Sequence, residues 1–85
     1  MDTPASPTDP APLVYDTGDR ACGGELIQEI DSWAGPLEPG RVMLVVSADP
    51  AALLDSRAWA ARRGYRYLGA QEYDGRPAYA IRKEA

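Results

Sequence analysis

The sequence predicts an α+β domain: a two-layer α/β sandwich of order β-α-β-α-β-β, with two helices on one face of a four-stranded mixed sheet. Three observations predict it. Helix-forming stretches at 24–34 and 51–63 separate segments with strand patterns. The run Arg41 to Ala48 is apolar almost without interruption, as in a central strand covered on both faces. Asp74-Gly75 sits between two alternating segments and is the strongest hairpin signal in the chain.

Met1 to Pro12 holds four prolines among Ala, Ser, Thr and Asp. No face there can be buried, so a disordered Pro-rich tail is expected over 1–12, ahead of a single domain over 13–85. Leu13-Val14-Tyr15 forms a short first strand, closed by the turn Asp16-Thr17-Gly18-Asp19. The first helix is expected from Gly24 to Ala34, because Leu26, Ile27, Ile30, Trp33 and Ala34 recur at helical spacing. Glu25 and Glu29 lie in its early turns and suit the dipole, and Gly35-Pro36 stops it.

Arg41 to Ala48 gives the second strand. Asp49-Pro50 reads as an N-cap with proline in the first helical position, although Asp55 offers a second start. This helix ends at Gly64. Tyr65 to Tyr73 alternates with period two, which predicts Tyr65, Tyr67, Gly69, Gln71 and Tyr73 on one face. Arg76 to Arg82 closes the hairpin, and Pro77 confines that strand to an edge or a strand start.

Composition excludes much. The chain has 85 residues, one cysteine and no histidine. An internal disulfide is therefore impossible, and Cys-His catalysis, Ser-His catalysis and most zinc sites are absent from the menu. No cofactor and no metal site is expected. The carboxylates Asp16, Asp19, Glu25 and Glu29 read as a solvated face. No run of 18 apolar residues occurs, and the first residues lack the basic-then-apolar order of a signal peptide. A soluble cytoplasmic monomer with no membrane contact is expected. The net charge of −4 is uneven: Met1 to Ser56 carries two basic and ten acidic residues, and Arg57 to Ala85 carries seven basic and three acidic. Such polarity bears on docking partners.

The chemistry centres on Cys22, which precedes the first helix. Free amide groups and the dipole put positive potential at a helix start and favour thiolate over thiol. The plainer alternative, a small buried hydrophobe, stays open. Gly23 and Gly24 lack the spacing of a phosphate-binding fingerprint and read instead as backbone kept bare for close approach to Cys22. Arg20 is a candidate to stabilise a sulfur anion. A thiolate without a neighbouring base is suited to sulfur exchange with a persulfide or disulfide.

Several motifs, taken in order, resemble the TusA (SirA-like) sulfur-carrier family. Asp16 and Cys22 match its spacing between the end of the first strand and the cysteine opening the first helix. Leu37-Glu38-Pro39-Gly40, the following strand and Ala48-Asp49-Pro50 are similar to its Pro-Gly, strand and Asp-Pro run. Asp55, Trp59 and Gly64 match its Asp, aromatic and Gly positions, and Ile81-Arg82-Lys83 its closing strand. The likeness covers about Leu13 to Lys83. Where the family has Cys-Pro-x-Pro, this chain has Gly23 and Glu25 in place of the prolines, and Gly18 comes one position early with Asp19 in the family's glycine place.

The resemblance implies a carrier that accepts sulfur on Cys22 from a cysteine desulfurase or rhodanese-type donor and hands it to an acceptor protein. The alternative is a docking or regulatory module with the same fold and no sulfur transfer. Arg57, Arg62, Arg63 and Arg66 are candidates for contacting an acidic partner protein. With Tyr65 and Tyr67 they also suggest RNA stacking, but the negative total charge argues against nucleic acid.

Overall fold

The computed structural model describes residues 11–18, 20 and 23–84. The elements follow as β1 (Leu13–Asp16), α1 (Gly24–Ala34), β2 (Val42–Val46), α2 (Ala52–Arg63), β3 (Arg66–Tyr73) and β4 (Arg76–Arg82). They form one four-stranded sheet of order β1-β2-β4-β3. β1 pairs with β2 in parallel, and the other two pairings are antiparallel, so the sheet is mixed. The expected tail lies outside the described residues as far as Pro10; Ala11 and Pro12 are exposed and in neither helix nor strand.

β2 is the axis of the core because both of its faces are covered. Met43 and Val45 join Ile81 of β4 on the helix side, where Leu26, Ile30 and Ala34 of α1 meet Trp59 and Ala60 of α2. Both helices therefore pack on the same sheet face. Burying one side chain of this size stabilises by about 1.5–3 kcal/mol. Leu44, Val46, Ala78 and Ala80 form a smaller buried cluster on the opposite face. The uninterrupted apolar run of β2 is thus explained by burial on both sides, not by periodicity.

Turn chemistry fixes the ends. Asp74 (φ 53°) and Gly75 (φ 75°) are both left-handed, as a two-residue type I′ hairpin requires. At the end of α2, Gly64 is left-handed; its N–H reaches the Ala61 carbonyl, and the Tyr65 N–H reaches that of Ala60 at 2.8 Å. That is a Schellman closure, which needs glycine. Lys83 Nζ donates to the Ala34 carbonyl at 3.0 Å, placing a cation at the negative end of α1.

Two expectations need correction. α2 starts at Ala52, a little beyond Asp49-Pro50, because the Asp49 side chain and carbonyl are used in a turn. They accept the N–H groups of Ala51 (2.8 Å) and Ala52 (2.9 Å). The single face assigned to the odd residues of β3 also breaks. Tyr67 pairs with Ile81 but Gly69 pairs with Ala80, a bulge across Leu68. Tyr65 and Tyr67 consequently pack on the helix-side core, while Gly69 and Gln71 share the face of Ala80 and Ala78. Gly69 at φ 138° supplies the backbone that reverses the alternation.

Candidate functional site

The C-terminal ends of β1 and β2 and the start of α1 lie together at one end of the sheet. Thr17 anchors the loop that follows β1. It is buried and donates to the Val46 carbonyl from both its N–H (3.0 Å) and its hydroxyl (2.8 Å). Asp16 shapes the turn by accepting the Gly18 N–H at 2.8 Å, with Gly18 left-handed at φ 66°. The same carboxylate takes two bonds from Arg76, at 2.8 and 2.7 Å, which tie the loop to the β3–β4 hairpin. The Arg76 guanidinium, then the Gly18 amide, hold the Asp16 carboxyl down to about 2.

Arg20 is pinned in turn. Its guanidinium makes a two-pronged bond to Glu29 of α1, at 2.7 and 2.8 Å, and its N–H reaches the Thr17 carbonyl at 3.3 Å. Tyr15 donates to the same Glu29 oxygen at 3.1 Å, and its ring meets Trp33 edge-on at 5.2 Å. The bonds from Arg20, then Tyr15, keep the Glu29 carboxyl below its ordinary range. Burial, then the bond to Glu29, pushes the Tyr15 phenol up. The positive charge of Arg20 is thus shared with a carboxylate.

Cys22 lies outside the described residues. Its neighbour Gly23 is the N-cap of α1, extended at φ −169° and ψ −173°, and its carbonyl accepts the Ile27 N–H at 2.9 Å. No left-handed conformation asks for glycine at 23 or 24. A Cβ built at either position meets nothing within 4 Å, so these glycines are not dictated by internal packing. What they provide is bare backbone at the start of α1. A glycine cap has no side chain with which to satisfy the first-turn amides.

Of the four arginines, the three on α2 divide between two of its sides, and Arg66 lies on β3. Arg57 lies over the Tyr67 ring at 5.6 Å, toward β3. Arg66 pairs with Arg82 at the start of β3, on the sheet face away from the helices. Arg63 bonds Asp31 of α1 through Nε at 2.6 Å and through Nη2. Arg62 lines two adjoining clefts of about 340 Å³ each, between α1 and α2. One is walled by Ile27, Gln28, Asp31, Trp59 and Arg63, and the other by Gly23, Gly24, Ile27, Asp55 and Ala58.

Three carboxylates join elements around the site: Asp16 and Glu29, which the sequence assigned to a solvated face, and Asp31 farther along α1, which it did not single out. Asp16 gathers Arg76, Glu29 gathers Arg20 and Tyr15, and Asp31 gathers Arg63 and the Trp59 indole. The Asp16–Arg76 and Asp31–Arg63 partners are 60 and 32 residues apart in the chain, and no spacing announces any of these partnerships. Among the described residues, no group of three His, Cys, Asp or Glu is placed to hold a metal ion, and no helix is long and apolar enough to cross a membrane. No protein-family model matches the chain, and no curated protein matches it.

Proposed function

We propose that the protein is a cytoplasmic, monomeric sulfur carrier of the TusA-like kind, loaded as a persulfide on Cys22. The observation that carries this reading is the uncapped, side-chain-free start of α1 directly after the cysteine. Unsatisfied amides favour an anion there, and bare backbone lets a second protein bring its sulfur close. A domain of 85 residues needs no enclosed pocket when its substrate arrives on another protein.

The Cys22 thiolate attacks the outer sulfur of a persulfide on a cysteine desulfurase or rhodanese-type donor. The donor S–S bond breaks, the donor leaves as a thiolate, and a new S–S bond forms on Cys22. An acceptor thiolate then takes the outer sulfur in the same way, and Cys22 returns as a thiolate. Each step is thiol–disulfide exchange without net oxidation or reduction. Gly23 and Gly24 offer amides to the persulfide anion. Arg20 acts by neutralising Glu29, which would otherwise oppose that anion.

Incubation with a desulfurase and free cysteine should add one sulfur atom to the intact mass of the wild type and none to Cys22→Ser. Equal gains, or no gain in the wild type, remove the reading. The second reading, a docking module without transfer, draws on the same Arg20–Glu29 pair, because the cation nearest to Cys22 in sequence is already neutralised. It requires Cys22 to react as an ordinary thiol.

A further inference from the structure

We propose that the cleft between α1 and α2 docks an extended acidic segment of the protein that exchanges sulfur with Cys22, with one of its carboxylates seated on Arg62. The identity of the partner rests on the sulfur-carrier reading; the docking surface is argued from the cleft itself.

The two clefts share Ile27 and Arg62 and are halves of one groove. One half opens at Gly23 and Gly24, the residues that follow Cys22, and the other ends at the Asp31–Arg63 pair. Its wall is apolar at Ile27, Ala58 and Trp59. Leu54, 69 % exposed, stands one helical turn before Ala58 and extends that apolar surface toward the start of α2. A segment lying in this groove passes over the bare backbone of the two residues that follow Cys22 in the chain.

Charge selects the occupant. Arg63 is bonded to Asp31, whereas Arg62, in the middle of the groove, feels the Asp31 charge but makes no salt bridge among the described residues. Asp55 stands at the glycine end, seven residues before Arg62 on the same helix and therefore about 10 Å away along its axis. The groove thus attracts a carboxylate at its centre and repels one at its glycine end. An incoming chain fits when its acidic residue is set back from its reactive sulfur. Charges of this kind steer association and fix register more than they add affinity.

The test is an amide-shift titration of the full-length protein with a capped glycine–serine peptide carrying a run of glutamates. Counterparts carry glutamine or lysine at the same places. The glutamate peptide should shift Gly23, Gly24, Ile27 and the Trp59 indole N–H saturably, and the lysine peptide should not. Arg62→Gln should weaken binding about fivefold, Arg62→Lys should keep most of it, and Arg82→Gln, on the sheet face away from the helices, should leave it unchanged. No shift at these residues, equal response to the lysine peptide, or undiminished binding in Arg62→Gln overturns the proposal. Sulfur loading is scored separately by mass. A chain that binds the peptide but takes up no sulfur keeps the groove and loses the carrier reading; one that loads sulfur but ignores the peptide does the reverse.

Discussion

Asp31 of α1 accepts the indole N–H of Trp59 of α2 at 3.0 Å, and the same carboxylate is bonded by Arg63. Trp59 is only 2 % exposed, so its single polar atom is satisfied at the helix–helix boundary. The bonds from Arg63, then Trp59, hold the Asp31 carboxyl below its ordinary range.

Removing that acceptor strands an indole N–H, which costs about 1–3 kcal/mol. Asp31→Ala should therefore destabilise by about that amount in urea unfolding, with the slope m unchanged. Asp31→Asn keeps an oxygen for the indole and gives up the charge facing Arg63. Its cost should be clearly smaller. Equal losses in the two variants would show that the charge, and not the indole bond, matters here.

The start of α1 makes a sharper prediction, because adjacent glycines there have opposite tolerance for proline. Gly24 is the first helical residue, where proline's fixed φ is pre-organised and its missing N–H costs nothing. Gly24→Pro should stabilise by about 0.4–1 kcal/mol, through the unfolded chain. Gly23 at φ −169° lies far from the φ of about −65° that proline imposes. Gly23→Pro should lose more than about 1 kcal/mol. Thermal melts of the two variants separate these outcomes, and a stabilised Gly23→Pro would contradict the extended cap.

Local chemistry made most of the fold readable, and reciprocity between distant elements hid the rest. Asp74-Gly75 and Gly64 each impose a backbone sign that no tertiary contact overrides, so hairpin and helix end fall where the residues place them. The alternation of β3 misled because a bulge at Leu68 moves every later side chain to the other face, and period two carries no warning beyond Gly69 itself. At the candidate site, the sequence marked Arg20 by its nearness to Cys22. Its partnership with Glu29, nine residues on, depends on how α1 packs against β1 through Tyr15 and Trp33. Arg57, Arg62, Arg63 and Arg66 look like one cluster in sequence, yet α2 turns Arg57 toward β3 and Arg62 and Arg63 toward α1.

Asp16 gives the pH dependence. Its carboxyl is held at about 2 against an ordinary value of 3.8, so its contribution to stability is fully present above about pH 4 and is lost as pH falls through about 2. Arg76→Gln should raise the Asp16 pKa most of the way back, with the Gly18 amide retaining part of the depression. A carboxyl titration by carbon-detected resonance measures both. An Asp16 that titrates near 4 in the wild type would mean that the hairpin and the loop are not joined in solution.

The last prediction concerns the thiol. On the sulfur-carrier reading, the Cys22 thiol is held as an anion by the uncapped amides of α1 and should titrate below the ordinary thiol value of about 8.5, read as the pH dependence of alkylation. Arg20→Gln leaves the Glu29 charge uncompensated on α1, so on that reading the Cys22 thiol should become less acidic and alkylate more slowly near neutral pH. Glu29→Gln added to Arg20→Gln should bring it back, because the acid and its neutraliser are then both gone. If Arg20 acted directly on the sulfur, the second change would restore nothing. The double variant therefore distinguishes an arginine that touches the anion from one that only silences a neighbouring acid.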